Sequence, residues 1–312
     1  MRSFGRVEAD DSVPSVPLCF LTYETPLLHQ YQLQSAEPLQ HLVHARKIML
    51  KRIAYAGMNG SVWDAGEGPV TLLVHGFPLD HTMWKYQLEA LPSGRRVVAP
   101  DLRGFGGSDG ETSNPMTMER FADDLAALLD ALAIDEPITL CGLSMGGYIA
   151  LAFWRNHRDR LKQLILCDTR AAADDEATKR TRELTARRAL TEGSGFLVDA
   201  MLPKLFAPET LQRRRADVES IAEVIRTTRP ETIAGALRGM AERRDSTSDL
   251  PTIELPVRVI VGEHDVITPP EEMQGMAEAM PHATFHSIPR AGHMAPWEAP
   301  ESFNPLLWDS PS

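Results

Sequence analysis

The chain has 312 residues, 43% hydrophobic and 24% charged, which suffices for a sizeable core and argues against a wholly disordered chain. Its 32 Lys and Arg against 43 Asp and Glu give a formal charge of −11, which argues against a nucleic-acid partner and against broad binding to anionic membrane. Three cysteines, Cys19, Cys141 and Cys167, form no CxxC pair, so neither a disulfide scaffold nor a cysteine zinc site is expected, and a cytoplasmic setting fits best. No apolar run reaches the roughly 18 residues of a membrane span, and the first residues do not read as a signal peptide.

Residues 1–48 are rich in Ser, Pro, Gln and His without a sustained period, and read as a poorly ordered or loosely packed extension. From Met49, two strands are expected with a turn at Asn59-Gly60. Strand and helix then alternate. VTLLVH (Val70–His75) is a strand buried on both faces, Trp84–Leu91 a helix, RVVAP (Arg96–Pro100) a strand. Met118–Ala133 carries a helical stripe of Phe121, Leu125, Leu128, Leu129 and Leu132. Ile138–Cys141, Leu164–Cys167, Val257–Val261 and Thr284–Ile288 are further strands, with a helix over Met145–Trp154. This alternation predicts an α/β protein with a mostly parallel sheet covered on both faces.

Between about Thr169 and Pro251 the alternation stops, and helices are expected near 175–191, 195–202, 208–228 and 230–243. The expected organisation is therefore a core of residues 49–168 and 251–312, with residues 169–250 as a helical cap over the sheet's C-terminal edge. Arg213, Arg214 and Arg215 are the densest basic run and read as a solvated helix face. The glycine-rich stretch 103–108 lacks GxGxxG spacing and reads as a tight surface loop.

The chemistry concentrates at Gly142-Leu143-Ser144-Met145-Gly146, a GxSxG motif between a predicted strand and a predicted helix. Such a turn lifts Ser144 above the sheet edge, and glycine at 142 and 146 removes side chains that would collide with it. A serine hydroxyl needs a base. Among His157, His264, His282, His286 and His293, only His293 sits in a glycine-containing loop after the last strand. Asp265 ends the strand Val257–Val261 and would orient it, with Asp168 as the rival acid. Backbone N–H groups of Met145 and Phe77 are the expected oxyanion donors; Pro78 has none to offer. His75 is expected to be structural, beneath that loop.

HGFPLDHTMW (75–84), PDLRGFGGSDG (100–110), CGLSMGGYIA (141–150), LCDTRAAADDEA (166–177), GEHDVITPP (262–270) and AGHMAPWEAP (291–300) together resemble an α/β-hydrolase fold serine hydrolase of the carboxylesterase and enol-lactonase type. The resemblance covers about residues 51–310. It implies an eight-stranded, mostly parallel sheet with a helical cap, and a triad of Ser144, Asp265 and His293. It also implies hydrolysis of small to medium acyl esters through an acyl-enzyme, with a small-molecule ester or lactone as partner and neither cofactor nor metal. Enol-lactone hydrolysis is the second expectation, then perhydrolase or C–C hydrolase activity. A small-molecule receptor on the same fold is the non-enzymatic alternative. Serine rather than aspartate at position 144 argues against dehalogenase and epoxide hydrolase chemistry.

Overall fold

The computed structural model describes residues 49–112 and 115–309, so the extension expected over residues 1–48 lies outside the described residues. In chain order the strands are β1 (Met49–Tyr55), β2 (Met58–Gly66), β3 (Val70–Val74), β4 (Arg96–Pro100), β5 (Ile138–Leu143), β6 (Leu161–Cys167), β7 (Val257–Gly262) and β8 (Ala283–Ile288). They form one sheet in the order β1-β2-β4-β3-β5-β6-β7-β8. β1–β2 and β2–β4 pair antiparallel and every later pair is parallel. β3 lies between β4 and β5, which makes it the point where the strand order reverses and where open α/β sheets place a ligand crevice.

The central strands β3, β5 and β7 are buried at every position, as a sheet covered on both faces demands. Helices α1 (Lys85–Glu89), α2 (Met118–Ala131) and α3 (Met145–His157) follow β3, β4 and β5. Thr117 caps α2 by accepting from the Arg120 N–H, and its stripe of Phe121, Leu125, Leu128 and Leu129 is buried. Trp84, Phe153 and Trp154 belong to the core, as expected.

The first hairpin turns at Ala56-Gly57, not at Asn59-Gly60. Both turn residues have positive φ (47° and 73°), the requirement of a type I′ turn. Gly60 instead lies in β2 opposite Ile53, where a Cβ would fall 2.4 Å from the Tyr55 ring. Its glycine serves packing rather than turning. The helix expected over Trp84–Leu91 starts one residue later, behind a 3₁₀ turn (His81–Trp84) capped by Asp80.

The stretch 103–108 is not a surface loop. Arg103 is 2% exposed and holds Asp124 with two bonds, Nε–Oδ2 at 2.7 Å and Nη2–Oδ1 at 2.6 Å. Phe105 is buried against His75 and Phe121. Two exposed glycines, Gly106 and Gly107, lead into buried Ser108, which donates to the Asp101 carbonyl.

Between β6 and β7 run five helices: α4 (Glu176–Glu192), α5 (Phe196–Leu205), α6 (Pro208–Arg213), α7 (Arg215–Thr227) and α8 (Pro230–Ala241). The single helix expected over 208–228 is two, broken at Arg214 (φ −116°, ψ 49°). The break turns the Arg214 side chain inward. Its guanidinium donates to the Trp297 and Glu298 carbonyls, to Tyr86 Oη and to Asp217. Arg213 and Arg215 are exposed, so only two of the three arginines form the solvated face. Three helices had no signal in the periodicity: α9 (Pro270–Glu278), α10 (Ala295–Glu298) and α11 (Pro300–Trp308). No helix among the described residues is long and apolar enough to cross a membrane.

Candidate active site

Ser144 stands between β5 and α3 at φ 56°, ψ −112°, a conformation that costs a non-glycine residue and persists only where its surroundings enforce it. Hydrogen bonds to its backbone enforce it here. Ser144 N donates to Cys167 O (2.9 Å), while Thr169 Oγ1 (2.7 Å) and Gly147 N (2.9 Å) donate to Ser144 O. The flanking glycines are needed for a different reason than a collision with the serine. A Cβ on Gly142 would lie 2.2 Å from Gly146 O, and one on Gly146 would lie 2.3 Å from Val74 O. Any side chain there would strike backbone, so glycine is what lets the elbow pack this closely on β3.

Asp265 and His293 meet as expected. His293 Nδ1 is 2.7 Å from Asp265 Oδ2, and the two residues are 2% and 3% exposed. Asp265 also accepts from Ile267 N (2.7 Å), Thr268 N (3.1 Å) and Thr268 Oγ1 (2.5 Å). Burial alone would raise this carboxyl, but His293 and the Thr268 donors outweigh it and hold Asp265 below the usual carboxylate range. Asp265 is thus ionised at neutral pH and fixes His293 with Nε2 turned away from it.

Ser144 is part-exposed, and its hydroxyl has no hydrogen-bond partner among the described residues. The Phe77 and Met145 backbone N–H groups likewise have none among the described residues. Gly76 lets the Phe77 loop approach: a Cβ there would sit 3.0 Å from the Leu143 side chain and 3.5 Å from Ser144 Cβ. Gly76 N is already committed to Met83 Sδ (3.3 Å), which leaves Phe77 as the free donor of that loop.

His75 is structural. Its Nε2 accepts from Leu102 N (3.0 Å), so the proton resides on Nδ1, which faces Gly76 O (3.0 Å). Full burial lowers its pKa and keeps it neutral. It ties the loop after β3 to the loop after β4. His157 pairs with Asp123, and His286 with Thr284, both away from Ser144's elbow. His264 is exposed.

Glu298 was missed by the sequence reading. Its Oε1 accepts from Gly292 N (2.7 Å) and its Oε2 from Ala207 N (2.9 Å), so one carboxylate joins the His293 loop to the α5–α6 junction. Met294 N adds a bond to Leu205 O (3.0 Å). A lone acid inside the apolar run AGHMAPWEAP was the available signal.

Two clusters bring metal-type donors within 4.8 Å: Asp80, His81 and Asp101, and Asp168, Asp265 and His293. In each, a histidine Nδ1 is already hydrogen-bonded to a carboxylate, at 2.6 Å for His81–Asp101 and 2.7 Å for His293–Asp265. Both read as hydrogen-bonded networks.

A cavity of about 820 Å³ opens beside Phe77 and Ile267. Its apolar wall includes Leu184, Phe196, Leu197, Met201, Leu237 and Val266, while Arg182, Arg188 and Lys204 bring positive charge and no carboxylate lines it. In α5 and just after it, Met201 lines this cavity, Leu202 is part-buried, and Leu205 and Phe206 are buried in the core.

This sheet, with a serine elbow after β5, an acid after β7 and a histidine after β8, is the arrangement of α/β hydrolases. The chain belongs to that family: the α/β-hydrolase fold family matches residues 69–300, and the protein is a hydrolase of this superfamily. A thermophilic esterase from Thermogutta terrifontis, solved with malate bound, is similar at 46% identity and TM-score 0.79, covering 82% of this chain and 95% of that one. The enol-lactonase from Burkholderia xenovorans LB400 is similar at 30% identity and TM-score 0.76, covering 82% and 97%. 3-Oxoadipate enol-lactonase 2 of Acinetobacter baylyi is 25% identical over 79% of this chain and 90% of its own.

Proposed function

We propose that the protein is a serine carboxylesterase acting on small to medium acyl esters. The hydrogen bond from His293 Nδ1 to buried, ionised Asp265 is the observation that carries the reading, because it leaves Nε2 as a base. In this mechanism Nε2 of His293 takes the Ser144 proton as Oγ attacks the ester carbonyl. The oxyanion is held by the Phe77 and Met145 N–H groups. His293 then protonates the departing alcohol, leaving an acyl group on Ser144. Water, deprotonated by His293, attacks that acyl group, and the proton returns to Ser144 as the acid leaves.

The helical insertion acts as a cap. Its α4, α5 and α8 supply the apolar wall of the 820 Å³ cavity, a volume suited to a small organic acyl or alcohol group. A second reading, a lactone or ester that carries an anionic group, rests on Lys204 at the cavity, since Arg182 and Arg188 are paired with Asp174 and Glu192. Hydrolysis of p-nitrophenyl esters from acetate to dodecanoate, with Ser144→Ala as the blank, tests the first reading. Turnover peaking at short or medium chains supports it. Turnover confined to carboxylate-bearing esters and lactones moves the assignment to the second. A folded protein inert to both sets and unlabelled by a fluorophosphonate serine probe favours a receptor, whereas an inert protein that labels points to another acyl substrate.

A further inference from the structure

Helix α5 serves two neighbours at once. Leu197, Met201 and Lys204 along it line the 820 Å³ cavity, and its last residue, Leu205, meets the loop that carries His293. That loop is tied to the end of α5 on both sides of the histidine. Met294 N, just after it, donates to Leu205 O at 3.0 Å. Gly292 N, just before it, donates to Glu298 Oε1 at 2.7 Å, and Ala207 N donates to Glu298 Oε2 at 2.9 Å. The approach is close: a Cβ on Gly292 would fall 2.7 Å from Ala207 N and 3.0 Å from Phe206 C.

Two backbone N–H groups on two oxygens is the pattern of an ionised carboxylate, and an amide cannot reproduce it. A glutamine here would keep one acceptor and turn its NH₂ toward the second N–H, donor against donor. Burial is the largest influence on the Glu298 carboxyl and raises it, while the Thr210 hydroxyl, the two N–H groups and the Arg214 charge act against burial. Arg214 Nη1 also donates to the Glu298 and Trp297 carbonyls (2.9 and 3.1 Å), which fixes the end of α10 on the insertion. Filling space would need neither the second oxygen nor the charge.

We propose that Glu298 is a positioning residue that clasps the His293 loop to the α5 wall of the cavity, so that contacts between substrate and α5 are felt at His293 Nε2. The inference rests on the triad assignment and the acyl cavity given under Proposed function. Glu298 itself touches no reacting atom. With the clasp closed, His293 and the α5 wall share one geometry, and an acyl group seated against Met201 holds the base where it meets Ser144. Remote binding energy is then spent on orientation at the reacting centre, where a displacement of about 1 Å costs on the order of 100-fold in rate. Selectivity for acyl length therefore appears in kcat and not in KM alone.

The test is a double-mutant cycle in kcat between Glu298→Gln and Met201→Ala, read on p-nitrophenyl hexanoate and acetate. Each protein is assayed well below its melting temperature, with Ser144→Ala as the blank. Glu298→Gln is expected to lower kcat for hexanoate about 20-fold with KM within about 3-fold, and to bring the kcat values for the two esters together. Met201→Ala should lower kcat for hexanoate about 5-fold in the native background and less than about 2-fold beside Glu298→Gln. If Glu298→Gln does not fold, Glu298→Asp replaces it, since the shorter carboxylate keeps the charge but cannot span both N–H groups. A folded Glu298→Gln protein with kcat within about 2-fold of native, or Met201→Ala effects that are equal in both backgrounds, would overturn the proposal and leave Glu298 a structural contact. Turnover that survives Ser144→Ala would overturn the triad assignment together with this inference. If the wild type hydrolyses neither ester, the rate of fluorophosphonate labelling replaces kcat: a fall of about 10-fold in Glu298→Gln is expected, and an unchanged rate would overturn the clasp alone.

Discussion

The strand-end loops and helix α4 of the insertion are built by opposite means. The loops after β3, β4, β6 and β7 bury polar groups almost completely: His75, Asp101, Arg103, Asp168 and Asp265 are all at most 3% exposed. Each of these groups is held by backbone N–H or a charged partner. Helix α4 of the insertion has 17 residues and buries only Ala186 and Ala189. Its charges pair along its own surface or with α8, as Glu183 does with Arg187 and Arg238. Buried, hydrogen-bonded polar groups fix geometry at high cost to substitution, and surface pairs fix little. The contrast suits a division of labour in which the loops carry chemistry and the insertion carries selectivity.

The contrast can be broken first at the loops. Replacing His293 with alanine should lower turnover on the order of 10³-fold or more, and near-native turnover in the folded variant would remove His293 from the site. Next, Arg103→Ala leaves Asp124 buried without its two-bond partner and should cost about 3–5 kcal/mol in denaturant unfolding. Arg187→Ala on α4 should leave the unfolding midpoint unchanged, because its side chain is 70% exposed. Equal losses for the two would erase the distinction.

The insertion should respond in selectivity. Met201→Trp fills part of the cavity beside Phe77 and should lower kcat/KM for the longest accepted acyl chains about 10-fold, leaving acetate within about 2-fold. A uniform loss across chain lengths would place Met201 outside the acyl path.

The smallest expected effect is pH-dependent. Burial would lower the His81 pKa, but its bond to Asp101 prevails and raises it; Asp101 is correspondingly lowered. A raised histidine contributes stability that is complete below its unfolded value near 6.5 and fades as pH rises through its folded value. The lowered Asp101 contributes above about pH 4 and is lost only as pH falls below that. The penalty for His81→Ala should thus be about 1–2 kcal/mol between roughly pH 4.5 and 6.5 and shrink toward pH 9, readable as converging melting temperatures. A penalty that grows with pH would reverse the sign of this pair.

The elbow, the acid and the histidine were legible because backbone geometry restricts residue type there. Only glycine fits at 142 and 146, and a strand-end Asp and a loop His leave a recognisable order. The alternating apolar runs likewise gave the sheet, with strand ends misplaced by only a few residues. What stayed hidden depends on partners distant in sequence. Arg103 finds Asp124, Arg214 finds α10, and Glu298 finds two backbone N–H groups; none of these leaves a periodic trace. The break at Arg214 is of this kind, since propensity alone runs α6 into α7. Glycines misled where they serve contact rather than turning, as Gly60 does against Tyr55.

The central claim is that Ser144 is the nucleophile. Incubation with a fluorophosphonate probe, followed by intact mass and peptide mapping, tests it most directly. The account predicts one adduct per chain on Ser144, formed in wild type, absent in Ser144→Ala and strongly slowed in His293→Ala. A folded wild-type protein that stays unlabelled, or an adduct on any other residue, would contradict it.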